Sequence, residues 1–147
     1  LVLHGINRDN AGRYRSVPVM ISGSTHVPPQ PYLIEPQMEA FMVRFAEMER
    51  EKAHPVLIAA YLHDELVRIH PFIDGNGRTS RLLMNLYLLR NGFTLAALKG
   101  SNEEKIRYYK ALEASHTENN PLDFQTVVEQ AEVASLRRYL SVLGAEE

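Results

Sequence analysis

Everything after Pro36 carries apolar residues at the three-and-four spacing that places them on one side of a helix. Met38, Phe41, Met42 and Phe45 form one stripe, with Glu39, Arg44 and Glu47 between them. Leu57, Ile58, Tyr61, Leu62, Leu66 and Ile69 form a second. Pro55 suits the first turn of that helix, and Pro71 closes it, because the residue before a proline avoids helical geometry. A third stripe runs through Leu82, Leu83, Leu86 and Leu89 and stops at Asn91-Gly92, a C-terminal cap signal. Two more helices are expected around Glu103 to Ala114 and Phe124 to Leu143. Strand chemistry is confined to the region before Pro36. Val17 to Ile21 is short and apolar, Ser22-Gly23-Ser24 supplies a turn, and Thr25-His26-Val27 returns before Pro28, Pro29 and Pro31. The expected architecture is all-α, a helical bundle carrying one small β-hairpin. The Leu83 to Leu89 helix is apolar enough to be expected at the buried centre, with Gly75 to Arg81 at the bottom of a cleft.

The 147 residues fit one domain, 1–147, large enough to bury a real core. A net charge of −2 gives no global basic surface to draw nucleic acid, so no direct nucleic-acid partner is expected. With no cysteine, disulfides and thiolate metal sites are excluded. There is no long uncharged apolar run and no secretory signal, so no membrane partner is expected. The first residue is Leu1 rather than Met, and Leu1, Val2, Leu3 and Ile6 read as the tail of a helix, so a fragment of a longer protein is expected.

Residues 70–81, HPFIDGNGRTSR, concentrate the chemistry. Arg78 and Arg81 fall three residues apart in the first turn of the third helix, where positive charge opposes the helix dipole. The misfit disappears if a phosphate chain sits there, taking bonds from free backbone N–H groups and from both guanidiniums. Gly75 and Gly77 permit close backbone approach, and Asn76 between them offers an amide and its own N–H. Asp74 is placed to hold Mg²⁺ bridging phosphates, and His70 is the one group there that takes a proton near neutral pH. Phe72 is expected to pack inward and pin the loop. Alone, each residue has an ordinary explanation: a capping histidine, a turn between helices, arginines paired with carboxylates. Together they point to phosphoryl or nucleotidyl transfer. His4, His54 and His116 are expected at the surface or as caps. His63-Asp64 suggests a different enzyme class, a metal phosphohydrolase with His70 and Asp74 as further ligands, but leaves both glycines and both arginines without a role.

The run HPFIDGNGRTSR resembles the Fic family signature, HPF-x-[DE]-GNGR-x-x-R, at every fixed position. AGRYRSVPVMISGSTHVPPQP is similar to the family's strand and flap region, and RYYKALEAS to the helix after the signature. Bacterial members and the metazoan endoplasmic-reticulum enzyme are both similar. The resemblance implies a Fic-fold bundle that transfers AMP from ATP to a Ser, Thr or Tyr hydroxyl of a target protein, or of itself, releasing pyrophosphate. On that analogy His70 deprotonates the hydroxyl, and Asp74 binds Mg²⁺. Gly75, Asn76 and Gly77 form the anion hole, and Arg78 and Arg81 hold the β- and γ-phosphates. Tyr108 and Tyr109 match positions near the nucleoside, while a Tyr-Tyr pair on a helix is otherwise core packing. Gly23, Ser24, Thr25 and His26 match the flap that aligns an extended target segment by strand addition. UTP, GTP or CDP-choline as donor, and a nucleotide sensor that labels nothing, remain as alternatives. The family's inhibitory [ST]-x-x-x-E-[GN] motif is not found in the sequence, which implies transfer without that restraint. A cytoplasmic address is expected, or a lumenal one for a eukaryotic relative, and a homodimer is left open.

Overall fold

The structure, a computed structural model, describes residues 9–98 and 100–144. The helix tail expected over Leu1 to Ile6, and His4 with it, lies outside the described residues. A 3₁₀ turn, Pro31–Leu33, leads into α1 (Ile34–Arg50), followed by α2 (Pro55–Ile69), α3 (Asn76–Arg90), α4 (Asn102–Glu118) and α5 (Leu122–Leu143). Among the described residues no helix is long and apolar enough to cross a membrane.

The centre of the bundle is α2, not α3 as its composition suggests. The α2 helix packs against each of the other four and buries Val56, Ile58, Ala59, Ala60, Leu62, His63, Leu66, Val67 and Ile69. At about 1.5–3 kcal/mol for each large apolar side chain removed from water, this helix carries much of the driving force for folding. In α3 only one stripe faces inward, through Ser80, Met84, Tyr87 and Leu88. Leu82, Leu86 and Leu89 lie more than half exposed on its other side. Composition misleads here because leucines occupy both faces, while Asn85 on the flank turns to the loop after α3. Its amide accepts from the Ala96 N–H at 2.8 Å and donates to the Ala96 carbonyl at 3.3 Å.

The hairpin also folds differently from its expectation. Among the described residues there is no strand; 17–30 is an open loop with a turn at its tip, where the Ser24 N–H bonds the Ile21 carbonyl at 3.2 Å. Gly23 makes this turn at φ +78°, which favours a residue without a side chain. Pro18, Pro28 and Pro29 remove ladder donors from both legs, so side chains from outside the loop hold it instead. Glu113 of α4 takes the tip: its carboxylate accepts from the Ser24 and Thr25 hydroxyls and, at 2.7 Å, from the Thr25 N–H. Those bonds hold the Glu113 carboxyl below its usual range.

Candidate active site

The site forms where α2 ends and α3 begins. Pro71 denies His70 ordinary helical geometry, and His70 caps α2 in the left-handed conformation at φ +52°. Its N–H still bonds the Leu66 carbonyl at 3.0 Å. The ring folds back so that Nδ1 lies 3.1 Å from the Val67 carbonyl oxygen. A carbonyl only accepts, so Nδ1 carries the proton and Nε2 is left with the basic lone pair. Burial pushes the imidazole pKa down from its ordinary value, and the Arg15 guanidinium adds to the effect against the opposing Val67 bond. His70 is therefore a neutral base at pH 7. Activity that needs the free lone pair falls as pH drops through the pKa of His70, so the acid limb of the rate profile is expected to have its midpoint below pH 6.5. A pH–rate series read by kcat/KM checks this, and a midpoint above 6.5 contradicts it.

Beyond His70 the chain crosses the loop 71–75 and enters α3 through Gly75, left-handed at φ +83°. Asn76 is 2% exposed, and its side chain is committed to the loop: Oδ1 accepts from the Phe72 N–H at 2.9 Å, and Nδ2 donates to the Phe72 carbonyl at 2.8 Å. The pin therefore comes from the Asn76 amide bonding the Phe72 backbone, and the Phe72 ring lies 6.0 Å from that of Tyr14. What Asn76 can give an anion is its backbone N–H. The first turn of α3 has no side-chain cap and no acidic residue. The N–H groups of Asn76, Gly77 and Arg78, which a helix leaves without an internal acceptor, thus point to a position where negative charge is favoured.

The two guanidiniums approach that position differently. Arg81 lies back along the helix, its Nη1 only 3.4 Å from where a side chain on Gly77 would begin. Its positive charge also lies near the Tyr108 phenol. Arg78 is half exposed and pairs with Asp74 Oδ2 at 3.0 Å, while Asp74 Oδ1 accepts from the Gly75 N–H at 2.5 Å.

Asp74 is the one carboxylate in this loop, and among the described residues no cluster of three or more acidic or histidine side chains exists to enclose a metal. That donor set fits Mg²⁺ better than a transition metal, because Mg²⁺ keeps several waters and is bound through one or two carboxylates plus substrate phosphates. The His63-Asp64 metal reading does not survive the packing. His63 is fully buried, its ring 4.9 Å from that of Phe124 and its Nε2 3.2 Å from the Tyr108 hydroxyl. Asp64 is engaged by His116 at 2.9 Å and by Ser115 at 2.5 Å.

The two tyrosines separate. Tyr108 is 2% exposed and sits in the core, leaving no ring face for a nucleobase; burial pushes its phenol up to about 12, so it stays neutral beside Arg81. Tyr109 is more than half exposed and packs edge-on against Tyr108. Of Gly23, Ser24, Thr25 and His26, expected in the flap, His26 reaches the end of α2, where its Nε2 donates to the Arg68 carbonyl at 2.9 Å, while Ser24 and Thr25 are held by Glu113. His116, expected at the surface or as a cap, is nearly buried beside His26, with ring centres 5.0 Å apart. His54 does cap: its Nδ1 accepts the Val56 N–H at the start of α2. Nothing local in the sequence marks Arg15, Glu113 or the role of His116; only the density of prolines around 18–31 points to a loop that needs outside support.

The sequence profile of the Fic/DOC family matches residues 1–88. The chain belongs to the Fic/DOC family. The protein adenylyltransferase Fic of Nematostella vectensis is 46% identical over 112 residues, covering 76% of this chain and 25% of that protein. The Drosophila persimilis protein of the same name is 39% identical over 115 residues, covering 78% of this chain and 22% of that protein. This Fic chain thus spans about a quarter of the length of the curated relatives it matches. Fic-1 of C. elegans superposes with a TM-score of 0.83 at 30% identity, over 99% of this chain and 42% of that one.

Proposed function

We propose that this Fic chain transfers AMP from ATP to a hydroxyl of a target protein, with release of pyrophosphate. The observation that carries the reading is the pairing of a neutral, single-tautomer His70 with an uncapped helix N-terminus bearing two arginines, on either side of one pinned loop. The relatives named protein adenylyltransferases support it.

The residues divide the work as the chemistry requires. The Nε2 lone pair of His70 takes the proton of a Ser, Thr or Tyr hydroxyl as its oxygen bonds the α-phosphorus. The bond from that phosphorus to the β-phosphate bridging oxygen breaks, and pyrophosphate leaves with the electron pair. The N–H groups of Asn76, Gly77 and Arg78 receive phosphate oxygens, and Arg81 and Arg78 meet the charge that grows on the leaving group. Asp74 would hold Mg²⁺, for which Arg78 must exchange its carboxylate partner for phosphate. A bound Mg²⁺ would neutralise charge on the phosphates. Exposed Tyr109 is the aromatic surface offered to the nucleoside. The open legs of 17–30, with Met20 and Val27 well exposed, offer backbone and apolar contacts to an extended target segment.

Incubation with α-³²P-ATP and Mg²⁺, with and without cell lysate, tests the reading. Label on the chain or on a lysate protein is expected. No label despite measurable ATP binding would overturn AMP transfer, and CDP-choline, UTP and GTP would then be tried as donors.

A further inference from the structure

Among the described residues one arginine is buried, takes no part in the phosphate site, and is spent entirely on backbone. Arg15 is 5% exposed and, among the described residues, joins no ion pair. Its Nε donates to the His70 carbonyl at 2.8 Å, and Nη2 to the Pro29 carbonyl at 2.6 Å and the Ile69 carbonyl at 3.5 Å. Nη1 donates to the Val17 carbonyl at 3.0 Å, and the Arg15 backbone N–H bonds the Pro71 carbonyl at 2.9 Å. Burying a cation without a carboxylate is costly, and burial lowers the Arg15 pKa from its ordinary value. The C-terminal carbonyls of α2 offset part of that cost, since the negative end of the helix dipole lies there.

The acceptors fall into two sets. Ile69, His70 and Pro71 belong to the helix end that carries the base. Val17 and Pro29 belong to the two legs of the loop whose tip approaches it. We propose that Arg15 is a positioning residue: by fixing the His70 carbonyl it holds the left-handed cap that turns Nδ1 to Val67 and Nε2 outward. The same guanidinium sets the legs of the target-facing loop in that frame, so base and target backbone are placed by one group. Direction is what makes it arginine. A planar fork reaches several carbonyls at fixed angles, whereas a lysine keeps the charge on a flexible stem and cannot.

Arg15→Lys in the full chain separates geometry from charge. Three readouts are taken: ATP affinity by calorimetry, self-labelling rate from α-³²P-ATP at saturating ATP, and the His70 tautomer by imidazole ¹⁵N NMR. ATP affinity is expected within about twofold of wild type, because the α3 N-terminus is untouched. The labelling rate is expected to fall about 10- to 100-fold, the scale of small misplacements of reacting groups. The His70 signal is expected to move from a pure Nδ1–H form to a mixture. A wild-type rate with an unchanged tautomer would overturn the proposal, and so would parallel loss of ATP binding, which marks general damage. If Arg15→Lys does not fold, Arg15→Gln is read the same way; failure of both to fold would make Arg15 a folding residue and overturn the positioning role. The rate readout rests on the AMP-transfer reading, but the tautomer readout does not. A wild-type chain that labels nothing sinks that reading, while the NMR comparison still decides the role of Arg15.

Discussion

His70→Ala is expected to lower AMP transfer by about 100- to 10,000-fold, the usual contribution of a general base, while ATP affinity stays near wild type. The separation follows from where the groups sit. His70 closes α2, and the N–H groups proposed to receive phosphate open α3, so the imidazole can be removed without touching that first turn. Alanine is less suited than histidine to the left-handed backbone at this cap, and the Nδ1 bond to Val67 is also lost. His70→Asn controls for both: asparagine tolerates the left-handed conformation and can donate to a carbonyl, but its amide takes no proton. Labelling from α-³²P-ATP, read beside calorimetric ATP binding, checks the pair. Equal loss in both variants with ATP binding retained assigns the effect to the proton acceptor. Full transfer by either variant would remove His70 from the mechanism.

The local arrangement of the candidate site was legible in the sequence because it is nearly contiguous. Helix, Pro71 break, Gly75 turn and the arginines of one helical turn lie within residues 70–81, where local rules apply directly. What the sequence hid acts at long range. Arg15 reaches His70 across 55 residues, Glu113 reaches Thr25 across 88, and His116 reaches Asp64 across 52. No periodicity encodes such meetings; packing around α2 creates them. The Asn76 side chain shows a subtler limit. Its position between two glycines suggested an amide aimed at phosphate, yet the nearest unsatisfied groups are the Phe72 N–H and carbonyl, which it pairs within its own loop. The loop expected as a hairpin failed on donors: proline-rich legs cannot build a ladder, so Arg15 and Glu113 hold them. The α3 helix was misplaced because leucine count says how apolar a helix is, not which of its faces finds a partner.

Arg81→Ala is expected to weaken ATP binding about 10- to 100-fold, the loss of a charge-assisted contact of about 1.5–3 kcal/mol. Arg81 and Arg78 share a helical turn but not a state. Arg78 is half exposed and already paired with Asp74, so a phosphate must compete with that carboxylate for it. Arg81 has no carboxylate partner among the described ion pairs; it lies near the neutral Tyr108 phenol and is folded over Gly77, with its charge uncompensated at the helix N-terminus. The uncompensated cation has more to gain from a phosphate, so Arg78→Ala is expected to cost less than Arg81→Ala. Arg81→Lys is expected to fall between, because an ammonium keeps the charge but loses the fork. Steady-state kinetics distinguish the stage at which Arg81 acts. A rise in KM for ATP with unchanged kcat places its contact equally in ground and transition states, whereas a matching fall in kcat places it on charge that develops as pyrophosphate leaves. Equal effects of the Arg78 and Arg81 substitutions would show that the Asp74 pair does not set how strongly each arginine meets the phosphates.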